Sequence, residues 1–213
     1  MPCDRFLIAT ANPGKYKEIV EILKDLPIEF VFLPDLHLQN HFEEIWDTFE
    51  ENAIQKARYF CSLSGLPTIA DDSGIEVDAL KGELHVKTRR FGKGEHATDR
   101  EWIEYFLKTM EKFPHNRAAR FICSSAIVFP SHSPRVDVFR GLSKEHVFFG
   151  ETKGVITEQL EAPIIEGLPL SSCFRPHGAL KVYAALSSQE KAKISHRGKA
   201  FFQLKKFLKQ LYQ

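Results

Sequence analysis

Three short stretches of the chain concentrate groups able to do chemistry. In Thr10-Ala11-Asn12-Pro13-Gly14-Lys15 a hydroxyl, an amide and an ammonium follow directly on an apolar run. Phe6 to Thr10 reads as a buried strand. Asn12 is a good helix N-cap, and Pro13 suits the first helical position, where its missing N–H costs nothing. A helix start that follows a buried strand exposes free N–H groups and a partial positive charge. With Thr10 and Lys15 beside it, this makes a phosphate site. The G-x-x-x-x-G-K-[ST] pattern of a Walker loop is absent. The same residues also fit a plain capped helix with Lys15 in solvent.

The second set is acidic: Glu43, Glu44, Glu50, Glu51, Asp71 and Asp72. Oxygen donors of this kind suit Mg2+, a hard cation that keeps waters and bridges to phosphates. A carboxylate beside a metal-bound water can take its proton. For the helix acids the alternative is a solvated charged face. For Asp71 and Asp72, which precede Ser73-Gly74, it is an Asx turn between two strands. The third set is Lys191, His196 and Arg197, with Ser195 placed to start a helix. A His and an Arg presented together donate hydrogen bonds to a carbonyl on a planar ligand. A basic connection before a C-terminal helix is the other reading.

The elements that must position these groups alternate between helix and strand. Ile19, Val20, Leu23 and Leu26 recur at helical spacing after Pro13, and Ile28-Glu29-Phe30-Val31-Phe32-Leu33 reads as a second strand. Thr48 to Leu63 reads as a helix with Phe49, Ala53, Ala57 and Phe60 on one face, ended by Gly65 and Pro67. Residues 67–70 predict a short strand, then the acidic turn, then a strand over 74–80. Thr98 and Glu101 form a capping box, with Ala97 and Trp102 as a staple, for a helix to about Met110. Residues 117–130 and 134–142 read as a long hairpin, followed by strand over 146–157. Ser187 and Glu190 form another capping box, and Phe201, Leu204, Leu208 and Leu211 mark a last amphipathic helix.

Composition narrows the class. The 213 residues, 43% hydrophobic and 27% charged, suit one globular domain, 1–213, and a formal charge of +1 gives no field for nucleic acid. Four scattered cysteines read as reduced thiols. No apolar run approaches the roughly 20 residues of a membrane span. A soluble, cytoplasmic protein with no membrane partner is expected.

The motifs together resemble the inosine/xanthosine triphosphate pyrophosphatase family nearly end to end. The opening IATANPGKYKEI is similar to its T-x-N-x-x-K motif, TFEENAIQKA to its T-F-x-E-N-A-x-x-K-A helix, and ADDSGIEVDAL to its A-D-D-S-G-L-x-V-D-A-L. FICSSA, GVIT and LSSQEKAKISHRGKA resemble the segments that follow. The resemblance implies an α/β fold: an elongated central mixed β-sheet with flanking helices, forming two lobes around a nucleotide cleft. It implies Mg2+-dependent hydrolysis of dITP, ITP and XTP to monophosphate and pyrophosphate, a house-cleaning role, by a homodimer. By motif, Thr10, Asn12, Pro13, Gly14 and Lys15 hold the phosphates, and Ser73 contacts substrate. Asp72 is the general base. Glu43 and Asp72 hold Mg2+, with Glu51 and Asp71 close by. Lys191, His196 and Arg197 read the purine, the last two through its 6-oxo group.

Three stretches depart from the family pattern. GLPLSSCF (167–174) stands where G-F-G-Y-D-P-x-F is usual, so Leu168 replaces an aromatic and Ser171 an aspartate. Lost stacking weakens base binding by about 1–3 kcal/mol. GELHVKTRRFG stands for P-G-x-Y-S-A-R-Y, and Trp46 for a glycine after the acidic pair. Two alternatives follow: a member with altered base preference, or a nucleotide-binding protein without turnover.

Overall fold

The structure, a computed structural model, describes residues 4–38, 42–88, 91–92, 97–130 and 144–212. Six strands, β1 (Asp4–Ile8), β2 (Ile28–Phe32), β3 (Thr68–Val77), β4 (Ala118–Val128), β5 (Glu145–Ile156) and β6 (Phe174–Pro176), form one sheet in the order β2-β1-β3-β4-β5-β6. β1 runs parallel to β2 and β3, and the β3-β4-β5-β6 ladder is antiparallel. The sheet is therefore mixed, and helices flank it: α1 (Pro13–Leu23), α2 (Phe49–Ser64), α3 (Asp99–Met110), α4 (Ser188–Ile194) and α5 (His196–Leu211).

Strand alternation sorts the core. Ile8, Ile69 and Ile127 bury against α1 and α5, with Ile19, Leu23, Phe201 and Leu204. Their neighbours Leu7, Ala70 and Ala126 bury against α2, with Ala53, Ala57 and Phe60. Successive side chains of a strand point to opposite faces, so α1 and α5 cover one face and α2 the other. The far half of β3 and β4 packs Ile75, Val77 and Phe121 with Trp102, Ile103 and Phe106 of α3.

The caps follow the local sequence. Asn12 Oδ1 accepts from Lys15 N, and Thr48 from Glu51 N. Thr98–Glu101 and Ser187–Glu190 are both complete capping boxes, and Ser195 caps α5.

One expectation changes, and another falls outside the described residues. The acidic pair does not form a turn: Thr68 to Val77 is one unbroken strand, and Asp71 and Asp72 pair with Ser125 and Ser124 of β4. A strand buried on both faces tolerates them because each face brings cations to meet them. The antiparallel partners of β4 are β3 and β5, which occupy both of its edges. Residues 134–142, read as its hairpin partner, lie outside the described residues, as does the turn before them.

Candidate active site

A cavity of about 810 Å³ opens between the start of α1, the middle of β3, the 166–171 loop, α4 and the start of α5. Thr10, Asn12, Pro13, Lys15, Asp72, Ser73, Leu168, Ser171, Lys191, His196 and Arg197 all line it. Sequence positions nearly 190 apart thus meet in one place.

Asp71 lies just behind the wall, 1% exposed, on the α1/α5 face. Its Oδ2 lies 3.3 Å from Lys15 Nζ and 3.3 Å from Arg197 Nη2. Ser73 Oγ accepts from Arg197 Nη2 at 2.9 Å and donates to Asp71 at 3.3 Å. Burial pushes the Asp71 carboxyl up, but Lys15, then Arg197 and Lys56, outweigh it and hold Asp71 well below the usual carboxylate range. Arg197, 2% exposed, also pairs with Glu18, which in turn holds Lys191 Nζ at 2.5 Å.

Asp72, one residue on, faces α2 and is treated differently. It is 4% exposed, its Oδ1 accepts from Ser73 N at 2.8 Å, and its Oδ2 has no hydrogen-bond partner. Lys56 of α2 pairs with Glu44. Burial, then the nearby Glu44 charge, raises the Asp72 carboxyl to about 6 against the pull of Lys56 and Lys15. By contrast Glu18, Asp25, Glu44, Asp71, Glu145 and Glu190 are all held below their ordinary values. A buried acid near neutral pKa is poised to take a proton from water.

At the other end, His196 stacks on Phe121 with ring centroids 4.6 Å apart and planes 12° apart. Burial, then Arg197 and Lys191, push its pKa well below the usual value, so the imidazole is neutral. Lys191 Nζ donates to Ser171 Oγ at 3.1 Å. The 166–171 loop is tied down at Gly167. Its carbonyl accepts from Asn12 Nδ2 at 2.9 Å, and its N–H donates to Asp99 Oδ2 at 2.6 Å. Gly167 has φ +73, and a Cβ there would collide with the Asn12 side chain. A Cβ on Gly14, which is buried beside the cavity rather than on its wall, would come within 2.6 Å of the Glu166 carbonyl. Both glycines thus let the loop lie on the start of α1.

Three acids named from the sequence, Glu43, Glu50 and Glu51, are exposed and fall outside the cavity. Glu43 is exposed, and its neighbour Glu44 lines the wall instead. Glu51 is also exposed, and its Oε2 accepts from Thr48 Oγ1 at 2.8 Å as part of the α2 cap. The 44–48 loop is fixed by the buried Asn52, which accepts from Trp46 N at 3.1 Å and donates to Trp46 O at 3.0 Å. Trp46 itself stacks on Phe42.

Glu44 was named in the acidic set but not assigned to the metal, and Lys56, Glu18 and Asp99 were not singled out from the sequence as site residues. Asn52 and Lys56, polar at i and i+4 on the buried face of α2, were the readable signal for Lys56. Glu18, three residues beyond Lys15 on α1, was the signal for the cation pair. Nothing local marks Asp99, whose partner is 68 positions away.

Among the described residues no three His, Cys, Asp or Glu side chains gather closely enough to hold a metal on protein ligands alone. Asp72, with its unpartnered Oδ2, and Glu44 offer the two oxygen donors that suit Mg2+ bound jointly with phosphates.

Known proteins resemble this chain over most of its length. The Ham1 family model matches residues 6–207. A dITP/XTP pyrophosphatase of Thermus thermophilus is 38% identical over 92% of this chain and 87% of its own length. One of Geobacter sulfurreducens is 35% identical over 96% of each chain. The solved Ham1 protein of Coxiella burnetii superposes with a TM-score of 0.78 at 32% identity, covering 97% of this chain and 99% of its own. That of Staphylococcus aureus gives 0.75 at 30% identity, covering 97% and 99%. The match spans the start of α1, the acidic strand and the basic C-terminal segment together, and the chain belongs to the Ham1 family.

Proposed function

We propose that the chain hydrolyses non-standard purine nucleoside triphosphates to the monophosphate and pyrophosphate. The observation that carries this reading is Asp72: a buried carboxyl raised to about 6, in a cleft that also holds Lys15 and the start of α1. Relatives named dITP/XTP pyrophosphatase support the substrate class.

Thr10, Asn12 and Lys15 bind the phosphates with the α1 N–H groups. Asp72 orients a water and takes its proton as the water oxygen bonds phosphorus. The α–β phosphoanhydride bond breaks and pyrophosphate leaves with the bond's electron pair. Asp72 and Glu44 would hold Mg2+, which when bound supplies charge neutralisation of the triphosphate. Lys191, His196 and Arg197 face the purine. Neutral His196 and cationic Arg197 both donate toward a 6-oxo group, and a site built on such bonds rejects a 6-amino group. The reading extends to one domain of two lobes, a cytoplasmic house-cleaning role and a homodimer. Among the described residues no helix is long and apolar enough to cross a membrane.

Pyrophosphate release from ITP, dITP, XTP, GTP and ATP, with Mg2+ and with chelator, tests the proposal. The first three are turned over with Mg2+ and ATP is spared. No turnover of any of the five would overturn it.

A further inference from the structure

Two neighbouring residues at the start of α5 line the cavity and are held there by different means. Arg197 is fixed by polar contacts. Glu18 and Asp71 pair with its guanidinium, and Ser73 Oγ accepts from its Nη2. His196 has no such tie: its Nδ1 is buried, and among the described residues no hydrogen-bond partner meets it. An imidazole in a working site is ordinarily oriented by a hydrogen bond to the nitrogen that does not meet the ligand, and that bond also decides where the proton sits.

The backbone of His196 is set by β5. The Thr152 hydroxyl donates to Ile194 O at 2.7 Å, two residues before His196. Gly150 lets the α4–α5 junction lie on the strand, since a Cβ there would come within 2.1 Å of the His196 carbonyl oxygen. A fixed backbone still leaves the side-chain torsions open.

β4 closes them. Phe121 pairs with Thr152, and Cys123 with Gly150, so Phe121 stands on the face of the sheet that the junction covers. Its ring lies flat on the imidazole, with centroids 4.6 Å apart and planes 12° apart. Phe121 is itself wedged. Phe174 meets it edge-on at 4.7 Å and 84°, and Tyr183 lies 5.9 Å away. All three rings are buried. A neutral imidazole has one N–H to give. With nothing at Nδ1 to accept it, the proton sits on Nε2, the nitrogen left to meet a ligand in the cavity.

We propose that Phe121 is a positioning residue. Its ring holds the His196 imidazole with Nε2–H aimed at the base, the role that a hydrogen-bond partner on Nδ1 would otherwise fill. This rests on the reading of the cleft as a site for 6-oxopurine triphosphates.

The test compares wild type with Phe121→Leu, which removes the stacked ring, and Phe121→Tyr, which keeps one. Circular dichroism confirms folding. In Phe121→Leu, KM for ITP rises about three- to tenfold, the scale of one hydrogen bond, and Phe121→Tyr restores most of the loss. Inhibition by inorganic pyrophosphate, which does not draw on His196, stays as in wild type. Nitrogen-15 NMR at neutral pH, with the His196 signal assigned by its loss in His196→Gln, shows the Nε2–H form in wild type and a mixture of the two tautomers in Phe121→Leu. An unchanged KM in folded Phe121→Leu, or equal weakening of ITP and pyrophosphate, overturns this proposal and leaves the enzyme reading intact. Should Phe121→Leu fail to fold, the wild-type spectrum decides, and a proton on Nδ1 overturns the proposal. Absence of turnover of ITP, dITP and XTP overturns the proposed function and this inference together.

Discussion

The two faces of β3 carry one carboxylate each, a single residue apart, and the fold treats them in opposite ways. On the α1/α5 face Asp71 meets Lys15, Arg197 and Ser73. On the α2 face Asp72 meets a backbone N–H and an acid, Glu44, whose own charge is taken by Lys56. One side has three cations for two acids, and the other one cation for two. The first is a finished ion-pair network that holds α1 and α5 on the sheet. The second is short of positive charge, which suits the metal and the base that the proposed function puts there. On that proposal the strand separates a structural acid from a chemical one by alternation alone.

Neutralising each acid tests that separation, and the effects are large. Asp72→Asn keeps the oxygen that accepts from Ser73 N but removes the base. Turnover falls about 10²–10⁴-fold. Thermal stability of the metal-free protein holds or rises, because a buried oxygen without a partner is replaced by a neutral amide. Asp71→Asn leaves the buried Arg197, and Lys15 beside it, with one acid fewer, which costs about 3–5 kcal/mol in chemical denaturation. If Asp72→Asn proved the more destabilising of the two, the assignment of the faces would be reversed.

Much of this was legible in the sequence, and the exceptions share a cause. The caps of α1, α2 and α3 were readable because a cap is satisfied within four residues. Asp72, Lys15 and the basic C-terminal segment were readable through motif and chemistry. The strand through Asp71 and Asp72 was not. Two adjacent acids followed by Ser-Gly have the local preferences of a turn, and only cations from α1, α2 and α5 make the extended course tolerable. Glu44 and Glu43 could not be separated for the same reason. Which of two neighbouring acids enters the cleft is decided by Asn52 holding Trp46, a contact across six positions.

The Gly167 clamp offers a sharper and smaller perturbation, since it touches neither face of β3. Asp99→Ala frees the Gly167 N–H and loosens the loop that carries Leu168 and Ser171, while Asn12 still caps α1. A hydrogen bond to a charged acceptor contributes about 1.5–3 kcal/mol, so KM for the nucleotide rises about tenfold or more. Inhibition by inorganic pyrophosphate, which needs only the phosphate end, stays as in wild type, and Asp99→Asn restores most of the loss. Equal weakening of nucleotide and pyrophosphate would mean that the clamp serves α1 rather than the base loop.

The smallest effect separates the acids of α2 from those of the cleft. Glu51 sits in the first turn of α2, where its carboxylate faces the helix N-terminus and accepts from Thr48 Oγ1. Its removal in Glu51→Ala therefore costs about 0.5–1 kcal/mol of stability through the cap and the helix dipole. The Mg2+ concentration for half-maximal rate is unchanged. Glu44→Gln does the reverse: it removes a cleft oxygen donor and raises the Mg2+ requirement, at the cost of leaving Lys56 buried without its partner. Titrating Mg2+ against rate for both variants makes the contrast direct. A raised Mg2+ requirement in Glu51→Ala would mean that the cap opens in the working enzyme and that its carboxylate turns into the cleft. That outcome would also make the α2 face as crowded with acids as the motif alone implies, and Lys56 would then be balancing three carboxylates rather than two.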